Sequence, residues 1–323
     1  MRQSLRIALA LVVSAFTAGA ALAQPYPTKP ISVIVPYGAG GGTDLFARAF
    51  AQDFSTRIKQ SVIVENLPGA GGTIAVQKVV NATPDGYTFV VSNGIEFEMQ
   101  QMADPQARRR STNLTPIFLF GTQPMVLVAR SGLGFKTATD LVNASKAKPG
   151  ALTLASSGPG TSLYLAGLII KQRAGIELLD VPYKSAPQIV TDLIAGNVDV
   201  AVLSVPTAIG YIQHGELSAL GVTDAVRSAQ LPNVPSLSEI PQFKGLDTKL
   251  VYAIYGPPKL PASIVKTVGD VSEGLLADPA FQARLVTLAI TPSKLGSASE
   301  LAKLTATQLS TFQAALGTAT VKR

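Results

Sequence analysis

The chain has 323 residues, with no cysteine, one histidine, and 27 Lys and Arg against 20 Asp and Glu, a formal net charge of +7 at pH 7. The lack of Cys excludes thiol nucleophiles, disulfides and thiolate metal sites, and a lone His214 excludes paired-His metal sites and argues against a His-based triad. The charge is only mildly positive. Its one basic cluster, residues 108–110, has no interleaved aromatic residues, so nucleic-acid binding is not expected.

The first 23 residues have the pattern of a secretory signal peptide. Arg2 and Arg6 precede an apolar run that ends in Ala21, Leu22 and Ala23, and cleavage is expected after Ala23. A membrane anchor is the alternative, but this run is short and small residues close it. We therefore predict an exported, periplasmic protein, and its remaining residues are numerous enough for two lobes.

The first regular elements are a strand, a glycine-rich loop and a helix. Residues 31–35 are rich in Ile and Val and predict a buried strand, which residues 36–42, PYGAGGG, then break. Either Thr43 or Asp44 is expected to N-cap the helix that follows. Such a unit directs backbone N–H groups and the positive end of a helix at one point, where a carboxylate can bind. The apolar face of the helix carries Phe46, Phe50, Phe54 and Ile58.

A second unit repeats this pattern. Residues 62–65 predict a strand, residues 66–72 read NLPGAGG, and Thr73 is expected to cap a helix that runs to about residue 82. Loops at the carboxyl ends of neighbouring parallel strands face the same crevice. Residues 87–92 predict a third strand, and residues 93–115 have no assigned element.

Strands and helices continue to alternate to the end of the chain. Strands are expected at 124–130, 152–155, around 180, and at 198–203, 217–222 and 250–255. Helices are expected after residues 136, 162, 189 and 261, and at 281–288 and 297–316, the last as a strap. Residues 231–235 are Pro-rich and indicate a connector. This alternation predicts an α/β protein of two lobes, each a mostly parallel sheet flanked by helices, with a ligand cleft between them.

The glycine loops do not match the common catalytic motifs. A P-loop needs a Lys that neither loop has. Gly38 and Gly40 match the first two glycines of a dinucleotide-binding fingerprint, and Glu65 ends the next strand, where its acidic residue would lie. The third glycine position, however, holds Thr43. Ser157 and Ser162 lack a G-x-S-x-G elbow. An enzyme is therefore not predicted, and non-covalent capture of a small solute by hinge closure remains.

Six motifs, in this order and spacing, resemble the Bug-type receptors of tripartite tricarboxylate transporters. They are VPYGAGGGTDLFAR, VENLPGAGG, PDGYTFVVSNG, SSGPGTS, VPYKSAPQ and DLIAGNVDV. The resemblance covers the chain after the signal peptide. It implies a fold similar to type II periplasmic binding proteins, with lobe one formed by residues 24–123 and 249–323 and lobe two by residues 124–248. It also implies a carboxylate ligand, membrane permease subunits as partners, a monomer, and no cofactor or metal.

The resemblance implies a ligand site made of backbone N–H groups, hydroxyls and bridging waters. Lobe one would contribute Tyr37, Gly38, Ala39, Gly40, Asp44, Gly69, Ala70, Gly71, Ser92 and Asn93. Lobe two would contribute Ser156, Ser157, Thr161, Ser162, Lys184, Ser185 and Asp199. Such groups satisfy a carboxylate without a dedicated cation.

The chain departs from the family pattern at several positions. Tyr164 stands where His is common, and Ser185 replaces the Gly of a YKG motif. Glu96 and Glu98 are either partners for a ligand ammonium group or solvated loop acids, and Asp199 either binds a cationic group or holds a neighbouring loop. Two alternative functions stay open: a ligand-sensing accessory of a histidine kinase, and an exported hydrolase.

Overall fold

The structure is a computed structural model that describes residues 26–92 and 114–318. The predicted signal peptide, Asn93, Glu96 and Glu98 lie outside these residues. Within the described residues, no helix is both long enough and apolar enough to cross a membrane.

Lobe one is built on strands β1 (Ile31–Val35), β2 (Val62–Asn66), β3 (Thr88–Ser92) and β9 (Lys249–Gly256). Strand β1 pairs in parallel with β2 and β3, and β9 runs antiparallel to β3. The flanking helices are α1 (Gly42–Ile58), α2 (Thr73–Val80), α7 (Ala262–Leu276) and α8 (Pro279–Thr287).

The predicted apolar face of α1 forms the centre of this lobe. Phe46, Phe50 and Phe54 are at most 2% exposed. Phe50 packs against Phe54 with tilted rings and meets Phe120 edge-on, with ring centroids 4.8 and 5.2 Å apart. Aromatic pairs of this kind add to the free energy of burial, so α1 is held firmly against the sheet.

Lobe two repeats the same unit on strands β5 (Thr153–Ser156), β6 (Leu179–Pro182), β7 (Val200–Ser204) and β8 (Leu217–Val222). Strand β5 pairs in parallel with β6 and β7. Its helices are α3 (Ala138–Ala147), α4 (Ser162–Ala174), α5 (Ala186–Ala195) and α6 (Val205–Gln213). His214 ends α6, where its Nδ1 lies 2.7 Å from the Gly210 carbonyl oxygen, as predicted for a helix C-terminus.

Strand β4 (Thr115–Arg130) joins the two lobes. Its residues 115–124 pair with β9, and its residues 125–130 pair with β7 and β8, always antiparallel. The sequence predicted only residues 124–130 as a strand. The first half was not predicted because it contains Pro116, Gly121 and Pro124, residue types that disfavour a strand. Two register shifts also interrupt its pairing with β9. Each sheet is therefore mixed, and the expected parallel character holds only for the pairs made by β1 and β5.

The ladder registers bring the carboxyl ends of both parallel sets towards the middle of β4. Ser204, the last residue of β7, lies opposite Met125, and Ser92, the last of β3, lies opposite Ala253 of β9, which in turn pairs with Leu119. Loops that follow these strands therefore meet at the junction between the lobes. The division at residues 123/124 and 248/249 stays a prediction, which this register favours.

The C-terminal helix α9 (Ala298–Thr318) crosses from one lobe to the other. Leu301 and Leu304 belong to the apolar cluster around Ile34, whereas Leu309 packs against the cluster around Leu154 in lobe two. The Gln308 side chain donates to the Lys249 carbonyl oxygen at 3.0 Å. The helix is therefore a strap, as the sequence indicated, and it covers the start of β9.

Replacing Phe50 with Ala tests the centre of lobe one. Because Phe50 is fully buried, we expect Phe50→Ala to lower the free energy of unfolding by about 3–5 kcal/mol, measured by urea titration. Val226→Ala is the control, since Val226 is 67% exposed and its loss should change stability by less than about 0.5 kcal/mol. Equal effects of the two variants would contradict the assigned core.

Candidate functional site

The first loop, residues 36–41, connects β1 to α1. Gly41 is the N-cap residue and no side chain caps the helix, so the expectation that Thr43 or Asp44 is the N-cap was wrong. Thr73 was likewise expected to cap α2, but Gly72 occupies that position. Because glycine has no side chain, neither N-cap residue offers a side-chain acceptor to the first N–H groups of its helix.

Asp44 closes the first loop from behind. Its Oδ2 accepts hydrogen bonds from the Gly40 N–H at 2.9 Å and from Arg48 Nε at 3.0 Å, and its Oδ1 accepts one from Asn66 Nδ2 at 2.9 Å. Burial alone raises the pKa of Asp44, but the bonds from Arg48, Gly40 and Asn66, with the charge of Arg48, hold this pKa below its usual value. Asp44 is only 2% exposed and shapes the loop without facing the cleft.

The second loop, residues 67–72, has an unusual backbone. Gly69, Ala70, Gly71 and Gly72 all have positive φ, at 138°, 46°, 61° and 95°. Glycine adopts these values at little cost, but Ala70 does not, and non-glycine residues in this region concentrate at functional sites. The glycine pattern of this loop is thus explained by its conformation.

The loop between β5 and α4 forms the facing wall in lobe two. The Ser156 hydroxyl accepts from the Gly158 N–H at 3.2 Å, and the Thr161 hydroxyl donates to the Gly158 carbonyl oxygen at 2.7 Å while it accepts from the Tyr164 N–H. Ser156 and Thr161 therefore order the loop from inside, being 1% exposed. Ser157 faces the cleft.

The loop between β6 and α5 touches lobe one. The Gly38 N–H donates to the Lys184 carbonyl oxygen at 3.4 Å. A Cβ atom on Gly38 would lie 2.6 Å from Ser185 Cβ, closer than side chains approach. Gly38 thus allows the first loop to meet lobe two, and the two lobes are closed on each other here.

Two adjacent cavities lie between the loops. An outer cavity of about 460 Å³ is lined by residues 36–37, 68–72, 157–159 and 182–184. An inner cavity of about 40 Å³ is lined by Tyr37, Gly38, Gly41, Gly42, Thr43, Ser157, Thr161, Leu163, Lys184, Ser185, Ala186, Ser204 and Leu250. Tyr37, Ser157 and Lys184 line both. In the described part of the chain, no Asp or Glu lines either cavity, and Lys184 is the one charged lining residue.

Four helices begin at the inner cavity. The N-cap residues of α1, α4, α5 and α6 are Gly41, Thr161, Ser185 and Ser204, and all four line it. Each helix N-terminus carries about half a positive charge on its free N–H groups. Helices from both lobes therefore direct positive potential into one small space.

The structure brings most of the predicted site residues together, but not all. Tyr37, Gly38, Gly69, Ala70, Gly71, Ser157, Thr161, Lys184 and Ser185 line the cavities. Ala39 and Gly40 belong to the first loop without lining either cavity, and neither do Ser92, Ser156 and Ser162, which are each 1% exposed.

Asp199 lies at the opposite edge of the sheet, just before β7 begins. Its carboxylate accepts from Arg130 Nε at 3.0 Å and from the Thr153 N–H at 2.9 Å. Burial raises the pKa of Asp199, but the bonds from Thr153 and Arg130 outweigh this and lower it. Of the two roles left open by the sequence, holding a neighbouring segment is the one that this geometry supports.

Sequence reasoning missed Leu163, Ser204 and Leu250, which line the inner cavity. A signal for Ser204 was present, because residues 200–206 read VAVLSVP, a buried strand that runs through Ser into a helix with Pro in its first turn. Leu250 carries no such signal, since only the path of β9 along the junction places it there.

Replacing Asp44 with Ala tests its role behind the first loop. The variant leaves the donors of Gly40 and Asn66 without their acceptor, so we expect a loss of about 1–3 kcal/mol in the free energy of unfolding at pH 7. Because the pKa of Asp44 is lowered in the fold, its contribution is present above the unfolded-state pKa of about 4 and is lost as the pH falls through the folded pKa. The difference between native and variant stabilities, measured by urea titration, should therefore shrink as the pH is lowered below about 4.

The matched control for Asp44→Ala is Asp270→Ala. Asp270 forms an exposed pair with Lys266 on α7, and its removal should cost less than about 0.5 kcal/mol. A similar loss in both variants, or a difference between native and Asp44→Ala that does not shrink in acid, would contradict the role of Asp44.

Comparison with known proteins agrees with this architecture. The family described as the tripartite tricarboxylate transporter family receptor, TctC, matches residues 46–317. A UPF0065 protein in the tcbD-tcbE intergenic region of Pseudomonas sp. (strain P51) is 33% identical over 279 residues, which cover 86% of this chain and 83% of that protein. The protein BugT of Bordetella pertussis is 30% identical over 264 residues, 75% of this chain and 81% of that protein.

Solved structures show the same fold. The periplasmic binding protein BugD superposes with a TM-score of 0.81 at 28% identity, over 89% of this chain and 96% of that one. A protein of R. palustris solved with adipate superposes with a TM-score of 0.82 at 26% identity, over 90% and 97% of the two chains. The family match, the relatives and the two-lobed fold agree with the motifs of the glycine loops. This chain therefore belongs to the receptor family of tripartite tricarboxylate transporters, among its Bug-type members.

Proposed function

We propose that this protein is an exported, monomeric receptor that captures a small carboxylate-bearing solute in the cleft between its lobes and delivers it to a tripartite tricarboxylate-type membrane permease. The observation that carries the proposal is the meeting of four helix N-termini at the inner cavity. These ends favour an anion.

A solute that must be released after capture is better held by helix N-termini and hydroxyl groups than by a buried salt bridge to its carboxylate. A helix N-terminus stabilises a nearby anion by about 0.3–1 kcal/mol when exposed and up to about 2 kcal/mol when partly buried. Several such ends give useful affinity without a buried counter-charge, whose desolvation costs several kcal/mol. The single charged lining residue, Lys184, is exposed and adds long-range attraction.

The sizes of the cavities indicate a small solute and bound water. The outer cavity of about 460 Å³ lies within the range of about 300–1,000 Å³ that is usual for small-molecule sites. The inner cavity of about 40 Å³ has room for on the order of three waters. We assign the solute to the outer cavity, with its carboxylate directed inwards, and assign waters to the inner one, where they connect the carboxylate to the helix ends.

Relatives and sequence support the remaining parts of the proposal. The first 23 residues have a signal-peptide pattern with cleavage expected after Ala23, and the similar BugD is described as a periplasmic binding protein. The R. palustris relative was solved with adipate, a dicarboxylate. The family name connects such receptors with membrane transport.

A thermal-shift screen tests carboxylate capture. The panel contains mono-, di- and tricarboxylates, among them adipate and malate, with amino acids and aromatic acids, and the amide and ester analogues of each hit serve as matched uncharged controls. A true solute at a hundred times its dissociation constant should stabilise the protein by about 2.7 kcal/mol. The charged form should be preferred to its amide by at least tenfold. A flat response to every carboxylate would contradict the proposal.

Replacing Gly38 with Ala tests closure. Since the new methyl group would meet Ser185 at 2.6 Å, the lobes cannot close fully, and we expect binding of the best carboxylate hit, measured by calorimetry, to weaken at least about tenfold. Unfolding of the solute-free variant should remain cooperative, because the added methyl group meets only residues of this contact between the lobes.

Gly269→Ala is the matched control. Gly269 lies in α7 and lines neither cavity, and its added methyl group has no neighbour within 4 Å, so affinity should stay within about threefold of native. Equal affinities of the Gly38 variant and the native protein would contradict closure at this point.

A further inference from the structure

Asn66 stands where the two lobe-one loops are connected. It is the last residue of β2, it lies opposite Val35 at the end of β1, and the second loop begins at the next residue. The Leu67 N–H donates to the Val35 carbonyl oxygen at 2.9 Å, which completes the ladder. The backbone of Asn66 therefore belongs to the root of the second loop.

The side chain of Asn66 reaches into the first loop. Its Nδ2 donates to the Tyr37 carbonyl oxygen at 3.0 Å and to Asp44 Oδ1 at 2.9 Å, and its Oδ1 accepts from an Arg48 guanidinium nitrogen at 3.2 Å. Both N–H groups and the carbonyl oxygen of this amide are used. The orientation of the amide is determined by its partners, because Tyr37 and Asp44 present acceptors and Arg48 presents donors.

Asp44 extends this connection to the far end of the first loop. Its carboxylate holds the Gly40 N–H and receives Arg48 Nε from one turn along α1. The first loop is therefore held near both ends. Asn66 binds the Tyr37 carbonyl oxygen directly, and it binds Asp44, which in turn accepts from the Gly40 N–H. Networks of this type share their strength among members and make a single geometry rigid.

None of Asp44, Arg48 and Asn66 lines the two cavities, so this network acts through the loops. We propose that Asn66 is a positioning residue that sets the first loop against the second, so that their N–H groups reach one carboxylate together. The role in affinity rests on the proposed carboxylate capture. The coupling of the two loops does not, and it can be measured in the protein without solute.

Hydrogen exchange of the solute-free protein tests the coupling. In Asn66→Ala and Asn66→Asp, peptides that cover residues 36–45 and 67–73 should both exchange about tenfold faster than in the native protein. Peptides of lobe two should be unchanged. Asn81→Ala is the control, since Asn81 is an exposed Asn at the end of α2. Faster exchange in the second loop alone, or in neither loop, would overturn the proposal.

A pH series separates positioning from a general structural defect. Asn66→Asp replaces two donors with a carboxylate beside Asp44 and the Tyr37 carbonyl oxygen, and protonation returns one donor. With adipate as the probe, calorimetry should give an affinity about tenfold below native at about pH 8 that recovers towards about pH 5. Asn66→Ala should be equally weak at both.

The two experiments fail in different ways. If the native protein does not bind adipate, or any other acid of the panel used in its place, the proposed capture is wrong, while the exchange data still decide the coupling. If the native protein binds and both Asn66 variants bind as tightly as it does across the pH series, Asn66 does not position the loops for affinity. Recovery of both variants, or of neither, in acid would equally count against the assigned role.

Discussion

Strand β4 is the constraint on which the rest of the molecule depends. It is the one described strand that pairs in both lobes, with β9 over its first half and with β7 and β8 over its second. Because every partner runs antiparallel to it, the carboxyl ends of β3 and β7 approach its middle from opposite sides. The loops that follow these strands in the two lobes therefore face each other, and a cleft forms where the lobes meet.

In the proposed function, the cleft recognises negative charge through the backbone. The N-caps of α1, α2, α4, α5 and α6 are glycines or hydroxyl residues, and four of these five caps line the inner cavity. Asp44 and Arg48, two charged residues behind the first loop, are bound to each other and to Asn66. Charge is thus used to hold the loop, and in the proposed function N–H groups are left for the ligand. This division suits the proposed receptor, which must release its solute, because no buried ion pair has to be broken.

Local conformation explains the glycines that carry the family resemblance. At Gly69, Gly71 and Gly72 the backbone has positive φ, and Ala70 adopts it at a cost. At Gly38 the reason differs, since a side chain there would meet Ser185 of the other lobe. One motif therefore contains glycines required by the turn and a glycine required by the closed arrangement, and the letters of the sequence do not distinguish them.

The sequence by itself determined the local units. The run at Ile31–Val35 and the spacing of Phe46, Phe50 and Phe54 identified β1 and the buried face of α1, since periodicity records which side of an element is buried. The strand–glycine–helix order also predicted an anion site, which stays a prediction. Only the tertiary structure decided that Asp44 faces away from the cleft, that Asp199 lies at the opposite edge, and that Ser204 and Leu250 line the inner cavity. These placements depend on how β4 crosses between the lobes and how β9 pairs with its first half. Long-range strand pairing of this kind leaves no periodic signal in the residues that it brings together.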